Sequence, residues 1–318
     1  MPVKKRIKIL LTVCFVLPCL LMAQVKHSNL YNKEIAFTTE NDAFLLNQGD
    51  AYYTNGFFLR YTQAGERNGI KLTHSLEAGQ MIFTPLIRLT TKATDIDRPY
   101  SGYLFVKYNR ASFARNSGIL QYGATAGIVG PSSFGKDVQD WYHNMLGYGR
   151  FRGWGYQVTD AVGLDLHLSY ARTLLQDSAW IKLVPVAEVK LGSNFTNATL
   201  GMVTFMGNFN ENGSSMFWNA RVQQKSDARP ARTEFFVYWY PQVILQGYNA
   251  TVEGGLFSKT DTAVLGMSSR WMFQQSFGAC LAKGRWSTRV AVVLQTREAV
   301  KQTKPQRYGS IQVGYRIR

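Results

Sequence analysis

The 318-residue sequence predicts an all-β protein: a transmembrane antiparallel β-barrel of about twelve strands with one short helix in a loop. Three observations lead to this prediction. Apolar and polar residues alternate in segments of about ten residues, as in barrel strands that face lipid on one side. Aromatic residues make up 14% of the chain. No apolar run after residue 23 is long enough for a membrane helix.

The N-terminal segment has the features of a secretory signal. Four basic residues within the first eight precede an uncharged run from Ile9 to Ala23. This run is shorter than the roughly 18 residues of a spanning helix, and its small last residue suits cleavage. A lipoprotein site at Cys19 is the alternative, which Pro18 fits poorly. We expect residues 1–23 to be a signal peptide for Sec export and residues 24–318 to form one outer-membrane barrel domain.

Cysteine content and net charge indicate how the protein is stabilised and which partners it binds. Only Cys280 remains after the signal, so the mature chain forms no internal disulfide. The net charge is +16, or about +12 once the signal is removed. Its basic residues are scattered through strand-like segments, and export argues against nucleic acid. Anionic lipid is therefore the favoured partner.

The alternation is clear in the segment TNGFFLRYT, where Phe57, Leu59 and Tyr61 occupy every second position. The same pattern predicts twelve strands, at residues 34–40, 54–63, 69–82, 101–113, 117–129, 154–174, 178–193, 195–206, 231–246, 263–281, 285–298 and 306–318. An even number of strands closes into a barrel without free edges. A soluble β-sandwich or lipocalin-like barrel is the alternative, and the strand count argues against it.

One segment departs from the strand pattern. GPSSFGKDVQDWYHNMLG predicts a helix over 133–147, with Ser132 and Ser133 as caps and Gly147 as its end. Helical spacing puts a set of apolar side chains on one face, which we expect to pack on the barrel wall. These are Val138, Trp141, Tyr142, Met145 and Leu146. Gln139 and His143 lie one turn apart at the border of that face.

Polar residues also surround the first predicted loop. Asn41 and Asp42 follow the first strand, and Thr54 begins the second. Antiparallel pairing of these strands places the three residues near one another at the same rim. Oxygen ligands of this kind suit Ca²⁺, and no Cys or His spacing suggests zinc. The residues predict a calcium site that includes Asp42 and Thr54.

Several motifs together resemble the lipid A 3'-O-deacylase family of outer-membrane enzymes. They are TENDAF, DAYYTNGFFLRY, GQMIFTP, DRPYSGYLF, GIVGPSSFGKDVQDWYHNMLG and GWGYQ, in family order over residues 34–157. The resemblance implies a twelve-stranded barrel that removes the 3'-linked acyloxyacyl group of lipid A and requires Ca²⁺. By the same resemblance His143 is similar to the catalytic histidine, Asn41 and Asp42 to an Asn-Asp pair, and Thr54 to a hydroxyl residue.

Other roles rest on chemistry or spacing. Imidazole titrates near neutral pH and suits a general base, whereas Gln139 is inferred from its spacing to orient the ring or a water. The family lysine has no clear counterpart, and only Arg88 and Lys92 are offered by the corresponding loop. Asp97 and Arg98 predict a structural ion pair, with binding of a substrate phosphate as the alternative.

The expected partner is lipid A or lipopolysaccharide in the outer leaflet of a bacterial outer membrane, and we expect a membrane-embedded monomer. Trp154 and Tyr156 predict part of an interfacial aromatic belt. Two alternatives stay open: an outer-membrane phospholipase A-like esterase, and a non-catalytic barrel. The first needs a serine paired with histidine, and no such pair stands out. The second needs a wide lumen, for which about twelve strands leave little room.

Overall fold

The computed structural model describes residues 31–45, 52–87, 89, 92–147, 149, 151–177, 180–224, 231–258 and 263–318. The predicted signal peptide lies outside these residues. The strands, in chain order, are β1 (Lys33–Asn41), β2 (Tyr52–Arg67), β3 (Ile70–Thr84), β4 (Ser101–Phe113), β5 (Gly118–Val129), β6 (Ala161–Arg172), β7 (Leu175–Asp177), β8 (Ile181–Gly192), β9 (Phe195–Asn208), β10 (Glu234–Asn249), β11 (Trp271–Lys283), β12 (Trp286–Gln295) and β13 (Gln306–Ile317).

Twelve of these strands close into a single antiparallel barrel. Each pairs with the next along the chain, and β1 also pairs with β13, from Lys33 opposite Ile317 to Asn41 opposite Gly309. The short β7 pairs only with β8, while β6 and β8 pair directly and carry the wall across that point. The predicted twelve-stranded barrel is confirmed. Closure leaves no strand edge exposed to lipid.

The two faces of the wall differ as the alternation requires. On β6, Leu164, Leu166 and Leu168 are exposed on the outside, whereas Asp165 and His167 are buried in the lumen. Exposed apolar side chains also continue over the outer face of the other strands. An apolar exterior of this kind, with polar side chains such as Asp165 and His167 turned into the lumen, is the arrangement of a barrel whose solvent is lipid. None of the helices in the described part of the chain is long and apolar enough to cross a bilayer.

The two ends of the barrel are unequal. The end with Lys33 and Ile317, here the lower rim, has the tight turns 68–69 and 284–285 and one long connection, 209–233, part of which enters the lumen. The opposite end, the upper rim, carries longer connections, including 85–100, 130–160 and 250–270. Outer-membrane barrels place short turns in the periplasm and long loops outside, so the upper rim corresponds to the outer surface.

A segment from the lower rim fills the lumen. Met216, Phe217 and Trp218 are buried against inward-facing side chains of the wall. The backbone of this plug is anchored by the wall, because Lys71 Nζ donates to the Ala220 carbonyl at 3.1 Å and Arg316 Nη1 to the Arg221 carbonyl at 2.8 Å. The sequence indicated only a loop here. The plug argues against an open channel through the barrel.

The loops of the upper rim are tied together by a buried ion pair. Arg98, on the connection between β3 and β4, donates through Nη2 to Glu298 Oε2 at 2.7 Å and to Thr251 Oγ1 at 3.0 Å. Burial lowers the pKa of Arg98, which Glu298 opposes. The structural role predicted for Arg98 holds, but its partner is Glu298. Asp97 instead accepts from the Tyr52 hydroxyl at 2.7 Å.

Several predicted boundaries were wrong, and three of them lie at the upper rim. The strand placed at 154–174 begins only at Ala161, because Gly153–Tyr156 forms a 3-10 helix packed beside the barrel. The strand placed at 263–281 begins at Trp271. The helix, α1, spans Gly135–Leu146 after a separate 3-10 turn, Pro131–Ser133. A second helix of one turn, α2 (Ala250–Glu253), follows β10.

Candidate active site on the outer wall

Asn41 ends β1 on the lipid-facing side of the wall. It shares the face of Ile35 and Phe37, which are exposed, yet only 4% of Asn41 is exposed. Its register partner on β2 is Asn55, and Asn41 Nδ2 donates a hydrogen bond to Asn55 Oδ1. Asn41 Oδ1 accepts from the Ala43 amide at 2.7 Å, which fixes the turn into the 3-10 helix Asp42–Leu45. Asn41 is therefore held rigidly, and Asp42 is buried beside it.

Thr54 lies where the register between β2 and β3 shifts, between Tyr53 and Asn55. This β-bulge re-aims the chain at the rim, a position where bulges often border functional sites. The buried Thr54 hydroxyl donates to the Ile82 carbonyl at 3.1 Å, and its oxygen keeps acceptor capacity. Asn41, Asp42 and Thr54 are thus gathered at one rim, as predicted.

Helix α1 lies against the outside of the same wall. Its first residue, Gly135, touches Gly102 of β4, where a Cβ built on Gly102 would lie 2.9 Å from Gly135 Cα. Gln80 of β3 donates to the Ser133 carbonyl just before the helix. The ring of Tyr142 is 6.5 Å from that of Phe57, at the next outward-facing position below Asn55. The helix therefore covers the outer surface next to Asn41 and Asn55.

The helix is turned the other way from the prediction. Gln139 and His143 are buried toward the wall, at 1% and 4% exposure, whereas Trp141 and Met145 point outward at 62% and 51%. The apolar face thus points away from the barrel. The reason is the surrounding solvent: a helix on the outside of a membrane barrel meets lipid on its far side. Val138 and Tyr142 are half-buried, between the two faces.

The helix ends also differ in part from the prediction. Neither serine caps α1, since Phe134 is its N-cap residue without a side-chain bond. Instead, Ser133 Oγ donates to the Gly130 carbonyl and Ser132 Oγ to Asp160 Oδ2 at 2.6 Å. Gly147 ends the helix in the left-handed conformation, at φ 77°, as predicted. Both serine hydroxyls have structural partners.

His143 is held in one tautomer. Its Nδ1 lies 3.1 Å from the Gly149 carbonyl oxygen. Because a carbonyl only accepts, Nδ1 carries a proton, and in the neutral ring Nε2 is then the acceptor nitrogen. The ring of Phe151 lies edge-on at 4.9 Å and fixes its plane. This is the state that a general base requires.

Gln139 is oriented by a residue for which the sequence predicted another role. Trp154 is 3% exposed rather than part of an aromatic belt, and its Nε1 donates to Gln139 Oε1 at 2.8 Å. An indole N–H only donates, so the amide oxygen must face Trp154. The amide nitrogen, Gln139 Nε2, is buried and has no hydrogen-bond partner among the described residues. Gln139 thus offers a fixed N–H donor one turn from His143.

Trp154 also belongs to a small apolar cluster outside the wall. Ile82, Ile96, Tyr100 and Phe151 are its other buried members. Tyr100 packs against Trp154 at 5.1 Å between ring centroids. This cluster fastens the 151–156 segment to β3 and to the loop before β4, and so supports α1.

Sequence reasoning missed three residues of the site: Asn55, Gly149 and Trp154. Asn55 follows Thr54 in the segment TNGFFLRYT, and the antiparallel register that pairs it with Asn41 could have identified it. Gly149 acts through its backbone, for which side-chain chemistry gives no signal. Trp154 lay in a run that alternates like a strand, and this alternation concealed it.

The oxygen ligands near the rim fit the chemistry of Ca²⁺. No group of three or more His, Cys, Asp or Glu side chains suited to a metal occurs in the described part of the chain. A calcium ion here would therefore depend on the Asp42 carboxylate with neutral oxygens, such as the Thr54 hydroxyl and backbone carbonyls. Ca²⁺ accepts such mixed sets of ligands.

Two residues were candidate counterparts of the family lysine. Arg88 lies outside the described residues, and Lys92 is exposed just before the 3-10 helix Ala93–Asp95.

The contact of Gly102 with Gly135 gives a first testable prediction. We expect Gly102→Ala to push α1 away from the wall and to lower activity by up to about 10²-fold, since small misplacements of catalytic groups have effects of that size. The barrel should still form, because its strand pairing does not involve the helix. The control is Gly155→Ala, where an added Cβ meets nothing within 4 Å. Activity and heat-modifiable gel mobility measured on both variants check this; equal activities would contradict the described seat of α1.

The role of Trp154 gives a second prediction. Trp154→Phe keeps the packing but removes the donor to Gln139, so the amide is free to turn. We expect kcat to fall about tenfold, less than the loss of a whole oxyanion donor, with little change in KM. Trp180→Phe, an exposed indole at the lower rim, is the control. A change confined to KM, or none, would show that Trp154 acts only in packing.

Comparison with known proteins agrees with this architecture. A family model described as outer membrane protein LpxR matches residues 9–317. LpxR from Salmonella typhimurium superposes with a TM-score of 0.72 at 18% sequence identity, over 89% of this chain and 100% of that chain. The β domain of the Bordetella autotransporter BrkA reaches 0.46 at 10% identity, over 90% of this chain and 99% of that chain. No curated protein sequence matched. Because the family model covers nearly the whole sequence, the chain belongs to the LpxR family of outer-membrane proteins.

Proposed function

We propose that the protein is a carboxylic ester hydrolase that removes the 3'-linked acyloxyacyl group of lipid A in the outer leaflet. The observation that carries the proposal is the place of His143. Its imidazole is buried on the side of α1 that faces the outer wall of the barrel, where the neighbouring Tyr142 lies against Phe57 of β2. Family membership supports lipid A as the substrate class.

The reaction follows from the groups at the site. His143 Nε2 takes a proton from a water molecule, whose oxygen attacks the ester carbonyl carbon. The negative charge that develops on the carbonyl oxygen needs a fixed donor, and Gln139 Nε2, whose amide is held by Trp154, would supply one. When the tetrahedral intermediate collapses, the bond to the sugar oxygen breaks. His143 returns its proton to that oxygen, leaving a free acid and a sugar hydroxyl.

Other residues position these groups. The Gly149 carbonyl keeps the proton of His143 on Nδ1, and Asn55 fixes the Asn41 amide. Asp42 and Thr54 would hold Ca²⁺. When bound, that ion would supply positive charge to polarise the ester carbonyl.

The outward face of α1 suits the lipid environment of the substrate. Trp141, Met145 and Phe134 are all more than half exposed there. An apolar helix face with an aromatic side chain favours the boundary between headgroups and acyl chains. An ester beneath the sugar of lipid A lies at a similar depth, so the substrate need not leave the leaflet.

The test is a comparison of two purified lipids. The protein in detergent is incubated with lipid A or with phosphatidylethanolamine, and the products are identified by mass spectrometry. We expect loss of the 3' acyloxyacyl group from lipid A and an intact phospholipid. Cleavage of phosphatidylethanolamine alone would identify a phospholipase, which is disfavoured because the hydroxyls of Ser132 and Ser133 have other partners.

A further inference from the structure

A groove crosses the lipid-facing wall on the other side of Asn41 from α1. It has a volume of about 630 Å³ and extends over β9 to β13. Almost all of its lining is apolar. The side chains that shape it are Val237, Trp239, Phe277, Ala279, Val292 and Ile311. We refer to this depression as the wall groove.

Strand register shows how the wall groove is built. One row across the strands joins Gly309, Val292, Phe277 and Trp239, each opposite the next in register. The floor is low at Gly309 and Ala279, which have no side chain or a small one. Trp239 and Phe277, at the other end of the row from Gly309, stack at 6.2 Å and form a raised bank. The row runs perpendicular to the strands. The row crosses four strands, β13 to β10, which are spaced about 4.8 Å apart, so its length is roughly 14 Å.

The wall groove begins beside the candidate active site. Gly309 is the register partner of Asn41, and both residues are on the lipid-facing side. Phe44 packs on Gly309, since a Cβ built there would lie 2.8 Å from Phe44 Cβ. Phe44 and Leu45 line that end of the groove, and they follow Asp42 within one 3-10 helix. A molecule lying in the groove therefore contacts the segment that carries Asp42.

We propose that the wall groove binds one acyl chain of the lipid A molecule whose ester is at the active site. This inference rests on the proposed function for the identity of the ligand. The apolar lining and the row of roughly 14 Å fit a stretch of hydrocarbon chain, and the groove's continuity with Asn41 relates that chain to the reacting ester.

We expect the wall groove to fix the position of the acyl chain and to add little to the affinity of the barrel for lipid. Lipid tails around the barrel are as apolar as the groove, so moving a chain into it brings little hydrophobic gain. A shaped surface adds close packing contacts and fixes where the chain lies. Fixing one chain sets which ester reaches His143. The wall groove should therefore determine the rate and the choice of acyl chain length.

The test fills the groove and compares it with an equivalent site elsewhere. Ala279→Trp places a large side chain on its floor. Ala187→Trp, on the exposed outer face of β8, is the matched control. We expect Ala279→Trp to lower kcat/KM on lipid A by about tenfold or more, as misplacement of a reacting group does, and to change the preferred chain length. The Ala187 variant should behave as the wild type. Equal effects of both variants would overturn the proposal.

A labelling experiment separates the groove from the catalytic proposal. Lipid A carrying a photoactivatable diazirine on an acyl chain is cross-linked to the protein at low molar ratio, and labelled peptides are mapped. Labels on β10–β12 that Ala279→Trp removes, and that excess phosphatidylethanolamine does not displace, would support the groove even if no hydrolysis were detected. Equal labelling by a diazirine phosphatidylethanolamine would show general lipid contact and would overturn it.

Discussion

Replacing His143 with alanine is expected to lower the deacylation rate by about 10²–10⁴-fold, the usual contribution of a positioned general base. Folding should be unaffected, because the side chain belongs to a helix outside the strand ladder. The measurement is the initial rate on lipid A, together with heat-modifiable gel mobility of the same preparation.

The matched control is His74→Ala. This histidine also lies on the outer side of the barrel, where its Nδ1 is 2.8 Å from the Tyr108 hydroxyl, but it is on β3 away from α1. Its loss should leave the rate nearly unchanged. Retention of activity in the His143 variant to within a few-fold of the wild type would contradict the role of general base.

Removal of calcium is expected to have an effect of similar size. Asp42 is the buried carboxylate that would anchor the ion, so both Asp42→Asn and chelation should abolish turnover. Added Ca²⁺ should restore the chelated wild type and restore the variant poorly. Asp137→Asn, an exposed carboxylate on α1, is the control.

A second readout keeps the calcium prediction independent of activity. A ligand that binds only the folded state raises the thermal midpoint. Ca²⁺ should therefore raise the midpoint of the wild type and of Asp137→Asn but not that of Asp42→Asn. A chelated wild type that keeps full activity and an unchanged midpoint would show that Asp42 and Thr54 serve only the turn.

The barrel could be predicted from the sequence because the outer face of its wall meets lipid and the inner face does not. On β6, which has lipid on one side and polar lumen residues on the other, exposed and buried side chains alternate from Val162 to Tyr170. The alternation wrongly predicted a strand from residue 154, because the segment GWGYQ alternates without being part of a strand. Instead, Gly153–Tyr156 forms a 3-10 helix, from which Trp154 donates a hydrogen bond to Gln139. Local alternation does not distinguish these cases.

The candidate site was predictable in its residues but not in its arrangement. Antiparallel pairing brought Asn41 near Thr54, and helical spacing brought Gln139 near His143. The orientation of α1 was wrong, because an apolar face was assumed to seek a protein core. Outside a membrane barrel lipid takes that place, so Trp141 faces outward and His143 inward. The lumen plug around Phe217 has no periodic signal, and only its contacts with the wall reveal it.

We propose that this outer-membrane barrel hydrolyses the 3' acyloxyacyl ester of lipid A with His143 as its base. The most direct test is mass spectrometry of lipid A from bacteria that produce the wild-type protein, the His143→Ala variant, or neither, at equal levels of folded barrel. We expect a species that has lost the 3' acyloxyacyl group only in the cells that produce the wild-type protein. Identical lipid A in all three strains, or the same loss with His143→Ala, would contradict it.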